Sequence, residues 1–596
     1  MMKQLSQSWN LDTLYPGGSK SPELQTFLQK IDEDIALWSH ALKEMTAPTS
    51  AAEASRLLPV IEAAQDLDAR LEEASDFAIC LEAQDTGDTQ AKRVYSQAIK
   101  LRADYDANIV LFDELLLQTP DDVWSALIEQ EAVKPISYYL GLRRANRQHQ
   151  MSAELEMLAA DLAVDGHHAW ESLHSSLISS IRVPFEQEGE VKQLSIPQVS
   201  KNTMSPDRDL RKRAAEAIEG AIEDHKETIT AILNHAQGFL LQLVKHRGEQ
   251  SPLPEAVRAS RITEQTLRAM WDTIEANLSR LTPYFERKAK LLGLEKLSWY
   301  DLNAPVSQSE KKVGYEEVMS FILEQFGRFS PALRDYVQKA LDNNWLDVAD
   351  KAEKRGGAFC AYFPNRGQQR IFYTLSGYAY DITVLAHELG HGFHAEIMAD
   401  QPYFAQRFST NLAETASTFG EMVAADAALQ HAETKEERIN LLHNRIQNIV
   451  LYLVSVNVMF RFEEHYYEER KKGLVPSERI TEMYEAAYKQ ATHDVFENYA
   501  SKQWLIHGHL YDTKQAFYNF QYTFGYLFST GIYVQALKEG PAFADRYVAL
   551  LRDTGSMSAE ELAQKHLGVD LTQPEFWQSA IDHVMTDIDE FLKLTE

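Results

Sequence analysis

Apolar residues recur at intervals of three and four along most of this 596-residue chain, and this spacing constrains the fold more than any other feature. The segments 21–45 and 213–248 show the spacing most clearly, with polar residues on their remaining positions. Gly248 and the Ser-Pro-Leu-Pro sequence that follows predict the end of the second segment. We therefore expect a mainly α protein built from long amphipathic helices.

Two regions interrupt the helical spacing. The first, residues 181–200, has short β-rich runs around a Gly-Glu turn and predicts a hairpin or linker, after which Ser-Pro-Asp at 205–207 predicts a new long helix. The second, residues 357–377, has two β-rich runs around Pro-Asn-Arg-Gly and predicts a small antiparallel β element. We place a domain boundary near the first interruption, which divides the chain into residues 1–195 and residues 196–596.

Composition narrows the classes of function. The chain has 88 acidic against 59 basic residues and a net charge of −29, which disfavours nucleic acid as a partner. Solubility explains this charge most simply, and electrostatic steering of cationic substrates is the alternative. Two cysteines, Cys80 and Cys360, are too few for a disulfide framework and suit a reducing compartment. Without a signal-peptide core or a run long enough to span a bilayer, we expect a cytoplasmic protein with no membrane partner.

The sequence HELGHGFHAE, residues 387–396, carries three histidines and two glutamates. Positions four apart share one face of a helix, so His387 and His391 can bind the same metal ion. Glu388 lies next to the first of these ligands and can reach a water on the ion. His-Glu-x-x-His is the arrangement of zinc peptidases, in which the glutamate is the general base. By itself the five-residue pattern also fits an ordinary polar helix face.

His394 tests whether a third ligand lies on the same helix. It follows His387 by seven residues and shares its face, but it lies about 10 Å further along the axis at a rise of about 1.5 Å per residue. An ion between His387 and His391 is too far away, so we interpret His394 as a core histidine or as a partner of a ligand. The helix itself is predicted to have Asp381 as its cap and to end before Pro402.

The missing ligand has to come from another segment, because a catalytic zinc ion takes three protein ligands and leaves one position for water. Residues 411–430 predict the next helix, with Thr410 or Asn411 as its cap. Glu414 and Glu421 lie on one face of it, seven residues apart and among small residues that allow close approach. We predict Glu414 as the third ligand of one zinc ion per chain.

Glu421 has a different predicted role. It lies about two turns beyond Glu414, where it can hold His387 or His391 in the tautomer that a metal requires. An ordinary polar contact between two helices is the alternative. A thermolysin-like spacing would place the ligand at 410 or 411 instead, but those positions are threonine and asparagine.

These motifs resemble those of a known family. HELGHGFH followed by Glu-Thr-Ala-Ser is similar to the oligoendopeptidase F branch of the thimet-oligopeptidase-like zinc metallopeptidases. SWNLDTLYPGG near the start, the strand pair GGAFCAYF and RIFYTLSG, and the tail HLYDTKQAFYNFQYTFGYLFSTGIY also resemble that branch. The likeness is scattered from residue 9 to beyond residue 530, so it covers nearly the whole chain.

The resemblance implies a large helical fold of two lobes that enclose a deep channel, which admits short oligopeptides and excludes folded proteins. Residues 1–195 would form one channel wall, and residues 196–596 would be the zinc metallopeptidase domain. His387, His391 and Glu414 would bind the zinc ion, and Glu388 would be the general base and proton shuttle.

The resemblance also assigns roles to the tail. His509, Tyr518 and Tyr522 match groups that contact the scissile carbonyl and the developing oxyanion, and Tyr526 is an alternative to Tyr522 as the main oxyanion donor. His507 competes with His509, which is favoured by the Leu-Tyr that follows it.

The residues of the tail allow other interpretations. The tail departs from the commonest form of the family, which has proline where Gln521 stands. Aromatic residues alternate from Tyr518 to Phe528, which fits a strand or, on a helix, one stripe of tyrosines and one of phenylalanines. We favour the helix with its tyrosine stripe toward a cleft, and aromatic residues that simply fill the core are the alternative.

We predict a zinc-dependent metalloendopeptidase that hydrolyses internal bonds of short oligopeptides with a water activated by Glu388. The RIFYTLSG strand is expected to pair with an extended peptide, which makes Phe372, Tyr373 and Gly377 candidate substrate-binding residues. One alternative is a dipeptidyl carboxypeptidase-like exopeptidase of the same family. Another is a non-catalytic helical peptide-binding protein with a structural metal. We expect a monomer or a small homo-oligomer.

Overall fold

The computed structural model describes residues 5–187, 189–307 and 312–596. Most of them are helical, and the prediction of a mainly α fold is confirmed. In these ranges the α-helices are α1 (Pro22–Glu44), α2 (Leu58–Gln84), α3 (Thr89–Gln118), α4 (Asp121–Ile128), α5 (Ser137–Arg147), α6 (Ala153–Ala163), α7 (Ala169–Ser180), α8 (Ile196–Ser200), α9 (Arg208–Glu223), α10 (Lys226–His246), α11 (Leu253–Ala259), α12 (Glu264–Asn277), α13 (Thr282–Leu291), α14 (Tyr315–Phe329), α15 (Pro331–Asp342), α16 (Tyr380–Met398), α17 (Thr410–His431), α18 (Lys435–Ile449), α19 (Val456–Arg470), α20 (Ser477–Ala491), α21 (Phe520–Glu539), α22 (Ala544–Asp553), α23 (Ala559–Leu567) and α24 (Pro574–Leu594). The strands are β1 (Val183–Gln187), β2 (Glu190–Leu194), β3 (Leu346–Asp347), β4 (Phe359–Phe363) and β5 (Gln368–Phe372).

Helix α1 shows how the sequence pattern produces these helices. The Ser21 side chain accepts a hydrogen bond from the Leu24 backbone N–H, and Pro22 occupies the first turn, where no hydrogen bond is lost. The buried face of α1 consists of residues at alternating spacings of four and three: Leu24, Leu28, Ile31, Ile35, Trp38 and Leu42.

The segment 213–248 forms two helices rather than one. Helix α9 ends at Glu223 and α10 begins at Lys226, so the expectation of a continuous helix is wrong at residues 224 and 225. The apolar spacing continues across the break, since Ile222 in α9 and Ile229 in α10 are both buried. The start of α9 is as predicted, since Asp207 caps it and its side chain accepts from the Asp209 N–H.

Both predicted β elements are present. Strands β1 and β2 pair antiparallel and form the hairpin expected in residues 181–200. Strands β4 and β5 pair antiparallel directly before α16, as the second interruption predicts. The sequence pattern did not indicate β3, a two-residue strand that pairs parallel to β5 and gives a sheet of order β3-β5-β4.

The described chain divides into two compact units, each built from separate segments. The first contains residues 5–153, 312–427 and 535–568, and the second contains the described residues of 154–307, 428–534 and 569–596. Residue 195 lies inside the second unit, so the two units do not coincide with a division at that position. The assignment of 1–195 and 196–596 as functional domains stays a prediction.

In the first unit, α16 is packed on several sides. It contacts the sheet through β4 and β5, and it also contacts α14, α15 and α22. Leu385, Ala386, Leu389 and Phe393 are at most 1% exposed, which fixes the rotation of the helix about its own axis. The opposite side of α16 is the side that carries His387 and His391.

Two further expectations concern the whole chain. Among the described residues, no helix combines the length and the apolar character that crossing a bilayer requires. Cys80 is buried and Cys360 is partly buried, and both are free thiols.

We predict that Gly390→Ala destabilises the protein. A Cβ atom at Gly390 would lie 2.4 Å from the Ala416 carbonyl oxygen and 2.6 Å from the Ser417 Cα, both of them backbone atoms of α17. The helices must then separate, at a cost of about 1–3 kcal/mol that is typical of overpacking. A lower melting temperature in a thermal scan measures this effect.

Gly220→Ala is the matched control. Gly220 lies in the exposed face of α9, and a Cβ atom there would meet nothing within 4 Å. Alanine stabilises a helix by about 1 kcal/mol relative to glycine, so the melting temperature of this variant should stay the same or rise. Equal melting temperatures for the wild type and Gly390→Ala would contradict a tight contact between α16 and α17.

Candidate metal centre

Three potential metal ligands converge where α16 meets α17. One ligand atom from each of His387, His391 and Glu414 lies within 4.8 Å of the other two. The Glu414 Oε2 atom is 3.4 Å from His387 Nε2 and 3.6 Å from His391 Nε2. Among the described residues this is the one such group of three.

The two helices supply this geometry because they approach each other closely. The four-residue spacing on α16 brings the rings of His387 and His391 to a centroid distance of 4.9 Å. On α17, the Ser417 hydroxyl donates to Glu414 Oε2 at 2.8 Å and so restrains the carboxylate. A Cβ atom at Gly420 would lie 2.8 Å from the Ala386 carbonyl oxygen, so no larger residue fits there without moving a helix.

Glu421 lies on the other side of the His387 ring. Its Oε2 atom is 3.4 Å from His387 Nδ1, whereas Glu414 faces Nε2 of the same ring. A carboxylate at Nδ1 keeps the proton on that nitrogen and leaves Nε2 as an electron-pair donor for a metal ion. Between the two histidines that the sequence left open as partners of Glu421, the structure places His387 in contact with it.

Burial and neighbouring charges together shift the pKa values of the three potential ligands. Burial lowers the pKa of His391 to about 4, so this imidazole is neutral, as a metal ligand must be. Burial alone would also lower the pKa of His387, but Glu421, Glu388 and Glu414 outweigh it and raise the pKa to about 9. Burial opposes ionisation of Glu414, but His391 and His387 dominate and lower its pKa.

Glu388 lies beside the cluster without taking part in it. Its side chain is 6% exposed, and its Oε2 atom has no hydrogen-bond partner among the described residues. Burial raises the pKa of this carboxyl to about 7, against the opposing charge of His387. A buried carboxylate oxygen without a partner is costly unless water or substrate completes it.

These observations test whether the residues fit a metal ion. Two imidazole nitrogens and one carboxylate oxygen form a donor set that divalent transition metals bind, and zinc accepts all three types of ligand. The close approach of Glu414 to both Nε2 atoms brings the three donors to one point. The residues therefore fit a catalytic metal site, with Glu388 free to contact a water molecule there.

Asp381 is not the cap of α16 but part of its first turn. The helix begins at Tyr380, and Ala379 is the capping residue. The Asp381 carboxylate accepts from the backbone N–H groups of Ser376 and Gly377 and from the Tyr373 hydroxyl. It thus fixes the loop before the helix rather than its first N–H groups.

Neither Thr410 nor Asn411 caps helix α17, although the sequence predicted one of them as the cap. Helix α17 begins at Thr410, and the Ser409 carbonyl accepts from the Leu412 and Ala413 N–H groups. The start of this helix therefore lies about one residue earlier than the sequence indicated.

The predicted substrate-binding residues are largely committed to other contacts. The Phe372 ring is fully buried and stacks on Phe359 at 4.9 Å. Gly377 uses its N–H for Asp381 and its carbonyl for the Val313 N–H.

Part of the strand that was expected to pair with a peptide is already paired on both sides. An added peptide strand finds no free edge at Ile371 and Phe372, because β3 pairs on one side of them and β4 on the other. On the β3 side, this pairing continues to Leu375, whose N–H donates to the Val348 carbonyl. Among the described residues, the other edge has no paired strand beyond the end of β4 at Phe359, so an added strand can align there along Tyr373 and the residues after it.

The remaining charged residues of HELGHGFHAE lie outside the cluster. His394 is buried and stacks on Phe408, and its Nε2 atom is 2.8 Å from the Thr554 hydroxyl oxygen. Glu396 accepts from Lys339 Nζ at 2.7 Å. His394 is therefore a core histidine in the structure.

The tail residues form a cluster within the second unit. The His509 ring lies 5.0 Å from the Tyr518 ring and 6.4 Å from the Tyr522 ring, measured between centroids. The hydroxyls of Tyr518 and Tyr522 are 3.1 Å apart. His507 has a centroid contact with His509 at 5.4 Å, and burial lowers its pKa to about 4. Of the two histidines, the structure brings His509 to the tyrosines.

The aromatic tail is helical from Phe520 onward, so the choice of helix over strand is confirmed for α21. Tyr518 precedes the helix, and the phenylalanine stripe of Phe520, Phe524 and Phe528 is buried in the core. Tyr526 is also buried and stacks on Tyr452 at 4.6 Å.

Two residues with a direct structural role were not identified as such from the sequence. Ser417 restrains Glu414, and its spacing of three residues on a helix is the signal that could have found it. Asn519 contacts His509, with 2.6 Å between Asn519 Oδ1 and His509 Nδ1. No local pattern predicts the second contact, because a turn and a helix start have to meet.

A helix with the His-Glu-x-x-His pattern, joined by a carboxylate from a second helix, defines a metallopeptidase type of centre. The sequence profile of peptidase family M3 matches residues 202–583, and that of oligopeptidase F matches residues 116–182. The chain belongs to peptidase family M3, and the predicted resemblance is confirmed. It is therefore a peptidase of a metal-dependent family.

Relatives cover almost the whole chain. Oligopeptidase PepF of Bacillus subtilis is 25% identical over 86% of this chain and 77% of the relative. An oligoendopeptidase F homolog of Lactococcus lactis is 23% identical over 99% of this chain and 97% of the relative. The crystal structure of oligoendopeptidase-F from Enterococcus faecium covers 96% of this chain and 98% of its own, with 22% identity and a TM-score of 0.70, which shows a shared fold.

We predict that Glu421→Gln weakens metal binding while peptide-bond chemistry keeps its base. The substitution removes the charge next to His387 Nδ1 and leaves the two Nε2 atoms and Glu414 in place. Loss of such an outer partner typically costs about 10–100-fold in metal affinity. Competition with a chelator of known affinity measures it.

Glu396→Gln is the control for this prediction. Glu396 also carries a carboxylate on α16, but it pairs with Lys339 and faces away from the ligand cluster. The metal affinity of the Glu396→Gln variant should equal that of the wild type. An unchanged affinity in Glu421→Gln would show that Glu421 is an ordinary contact between helices.

Proposed function

We propose that the protein is a zinc-dependent endopeptidase that hydrolyses internal bonds of short oligopeptides. The observation that carries this proposal is the buried Glu388 carboxylate, whose Oε2 atom lacks a protein partner among the described residues and lies next to three converging donors. The names of the relatives, an oligopeptidase and an oligoendopeptidase F homolog, support the choice of short peptides and of internal bonds.

His387, His391 and Glu414 are the proposed ligands of one zinc ion per chain. When bound, zinc supplies a Lewis acid that polarises the peptide carbonyl and lowers the pKa of a water molecule to about 7. The lowered pKa values of His391 and Glu414 favour the neutral imidazole and the ionised carboxylate that a metal ion requires. His387, whose pKa is raised to about 9, has to release a proton before its Nε2 atom can bind the ion. Glu421 holds the His387 ring so that its Nε2 atom faces the other donors.

Glu388 is the proposed general base. Its carboxylate takes a proton from the attacking water and delivers that proton to the nitrogen of the leaving amine. Burial raises its pKa to about 7, so at neutral pH the same group can both accept and return a proton. A carboxyl with its usual pKa would accept the proton less readily.

The cluster of His509, Tyr518 and Tyr522 is proposed to contact the peptide carbonyl and to stabilise the oxyanion. This role rests on the family resemblance of the tail and on the mutual contacts of the three side chains. One donor of this kind contributes about 3–4 kcal/mol to the transition state in comparable enzymes. Tyr526, which stacks on Tyr452 in the core, is the weaker candidate.

The proposed peptide contact is limited to the segment that starts at Tyr373. An extended peptide would add its backbone hydrogen bonds to this segment beyond the end of β4, which favours little selectivity for side chains. The cytoplasmic location and the state of monomer or small homo-oligomer stay predictions.

We predict that Glu388→Gln abolishes peptide cleavage and retains one metal ion per chain. Glutamine keeps the size of the side chain but cannot accept the proton, and loss of such a base costs about 10²–10⁴-fold in rate. The wild type and the variant are incubated with a mixture of peptides of 5 to 15 residues, and mass spectrometry reads the products. Metal content is measured on the same samples.

Glu396→Gln is the control variant and should cleave the peptides like the wild type. The positions of the cuts distinguish the possible activities. Internal cuts by the wild type support an endopeptidase, whereas successive loss of C-terminal dipeptides indicates the exopeptidase alternative. Normal turnover by Glu388→Gln would remove this residue as the base. Absence of cleavage by the wild type, together with unfolding on chelation, would indicate a binding protein with a structural metal.

A further inference from the structure

The His509 imidazole lies on an exposed turn, but its ring is not held by the turn alone. Its Nδ1 atom lies 2.6 Å from the side-chain oxygen of Asn519, which is 5% exposed. An amide oxygen can only accept a hydrogen bond, so Nδ1 carries the proton at this contact. In a neutral imidazole, the other nitrogen, Nε2, is then an acceptor.

Both partners of this hydrogen bond are placed by rigid surroundings. His509 lies in the short helix Gly508–Tyr511, where the Leu510 carbonyl accepts from Gln237 Nε2 at 2.8 Å. The next residue, Tyr511, is fully buried and donates from its hydroxyl to the Trp504 carbonyl at 3.0 Å. The backbone that carries His509 is therefore held by one hydrogen bond from a distant helix and by one to a residue seven positions before Tyr511.

The backbone before Asn519 is held just as firmly. Phe517 has a φ of 53°, which is uncommon for a residue other than glycine, and its N–H donates to the buried Glu463 carboxylate at 2.9 Å. Helix α21 begins directly after Asn519, whose carbonyl accepts from the Tyr522 N–H at 3.1 Å. The Asn519 side chain thus joins a fixed turn to a fixed helix start.

We propose that Asn519 is a positioning residue for His509, which holds the ring toward Tyr518 and Tyr522 and keeps its proton on Nδ1. The proposal rests on the proposed peptidase function, in which this cluster contacts the peptide. It has a specific chemical consequence. Neutral His509 offers an electron pair at Nε2 to a peptide N–H, and donation of a hydrogen bond to the oxyanion falls to the tyrosine hydroxyls.

The first experiment reads the tautomer directly. In protein labelled with carbon-13 only in histidine, the Cδ2 chemical shift distinguishes the two neutral tautomers, and the His509 signal is the one missing in His509→Gln. At a pH of about 8.5, the wild type should show the Nδ1–H form. Asn519→Leu should move His509 toward the Nε2–H form, and Asn519→Asp, which keeps an acceptor oxygen, should retain Nδ1–H.

The second experiment reads the catalytic consequence on one peptide that the wild type cleaves. Asn519→Leu should lower kcat about 10-fold, as expected for loss of one hydrogen bond to a working side chain, with little change in KM. Asn519→Asp should recover most of kcat. A structural defect would not be rescued selectively by the variant that keeps an oxygen at this position.

Gln521→Leu is the matched control, because Gln521 is a buried amide two residues further along the chain. It should leave the His509 signal unchanged. An Nε2–H form in the wild type, or an Asn519→Leu spectrum equal to that of the wild type, overturns the proposal. If the wild type cleaves no peptide, the proposed function fails, while the tautomer measurement still decides whether Asn519 positions His509.

Discussion

The close approach of α16 and α17 is the constraint on which the metal centre depends. Gly390 and Gly420 have no side chain where the two helices meet, and a Cβ atom at either position would press on the backbone of the other helix. At this separation a glutamate on α17 reaches the Nε2 atoms of two histidines on α16. With larger residues at the contact, the same ligands would be present in the sequence but too far apart to bind one ion.

The same packing places three carboxylates near the histidines in three different environments. Glu414 is ionised by the histidines, Glu421 contacts the far nitrogen of His387, and Glu388 is buried with its Oε2 atom unpaired in the described structure. Because burial dominates at Glu388, its pKa rises while that of Glu414 falls. Environments that separate the pKa values of neighbouring carboxyls give a ligand and a base from one residue type.

How much the sequence predicted depends on whether a feature is local. The spacing of His387 and His391, the grouping with Glu414 and the β4–β5 pair follow from periodicity along the chain, and the structure contains them. Strand β3 depends on its pairing with β5, and the contact between Asn519 and His509 depends on how a turn meets a helix start 10 residues later, so no residue spacing indicated either of them. The error at Asp381 has a local cause, since its carboxylate accepts from two N–H groups of the loop four and five residues earlier instead of capping the helix.

Two histidines and one glutamate are proposed to hold a single zinc ion. X-ray absorption at the zinc edge, on purified protein loaded with one equivalent of zinc, tests it most directly. We predict two imidazole ligands at about 2.0–2.1 Å, with oxygen as every other coordinated atom, at about 2.0–2.2 Å. A thiolate ligand near about 2.3 Å, or a third imidazole, would contradict the assignment of Glu414 and with it the account of the site.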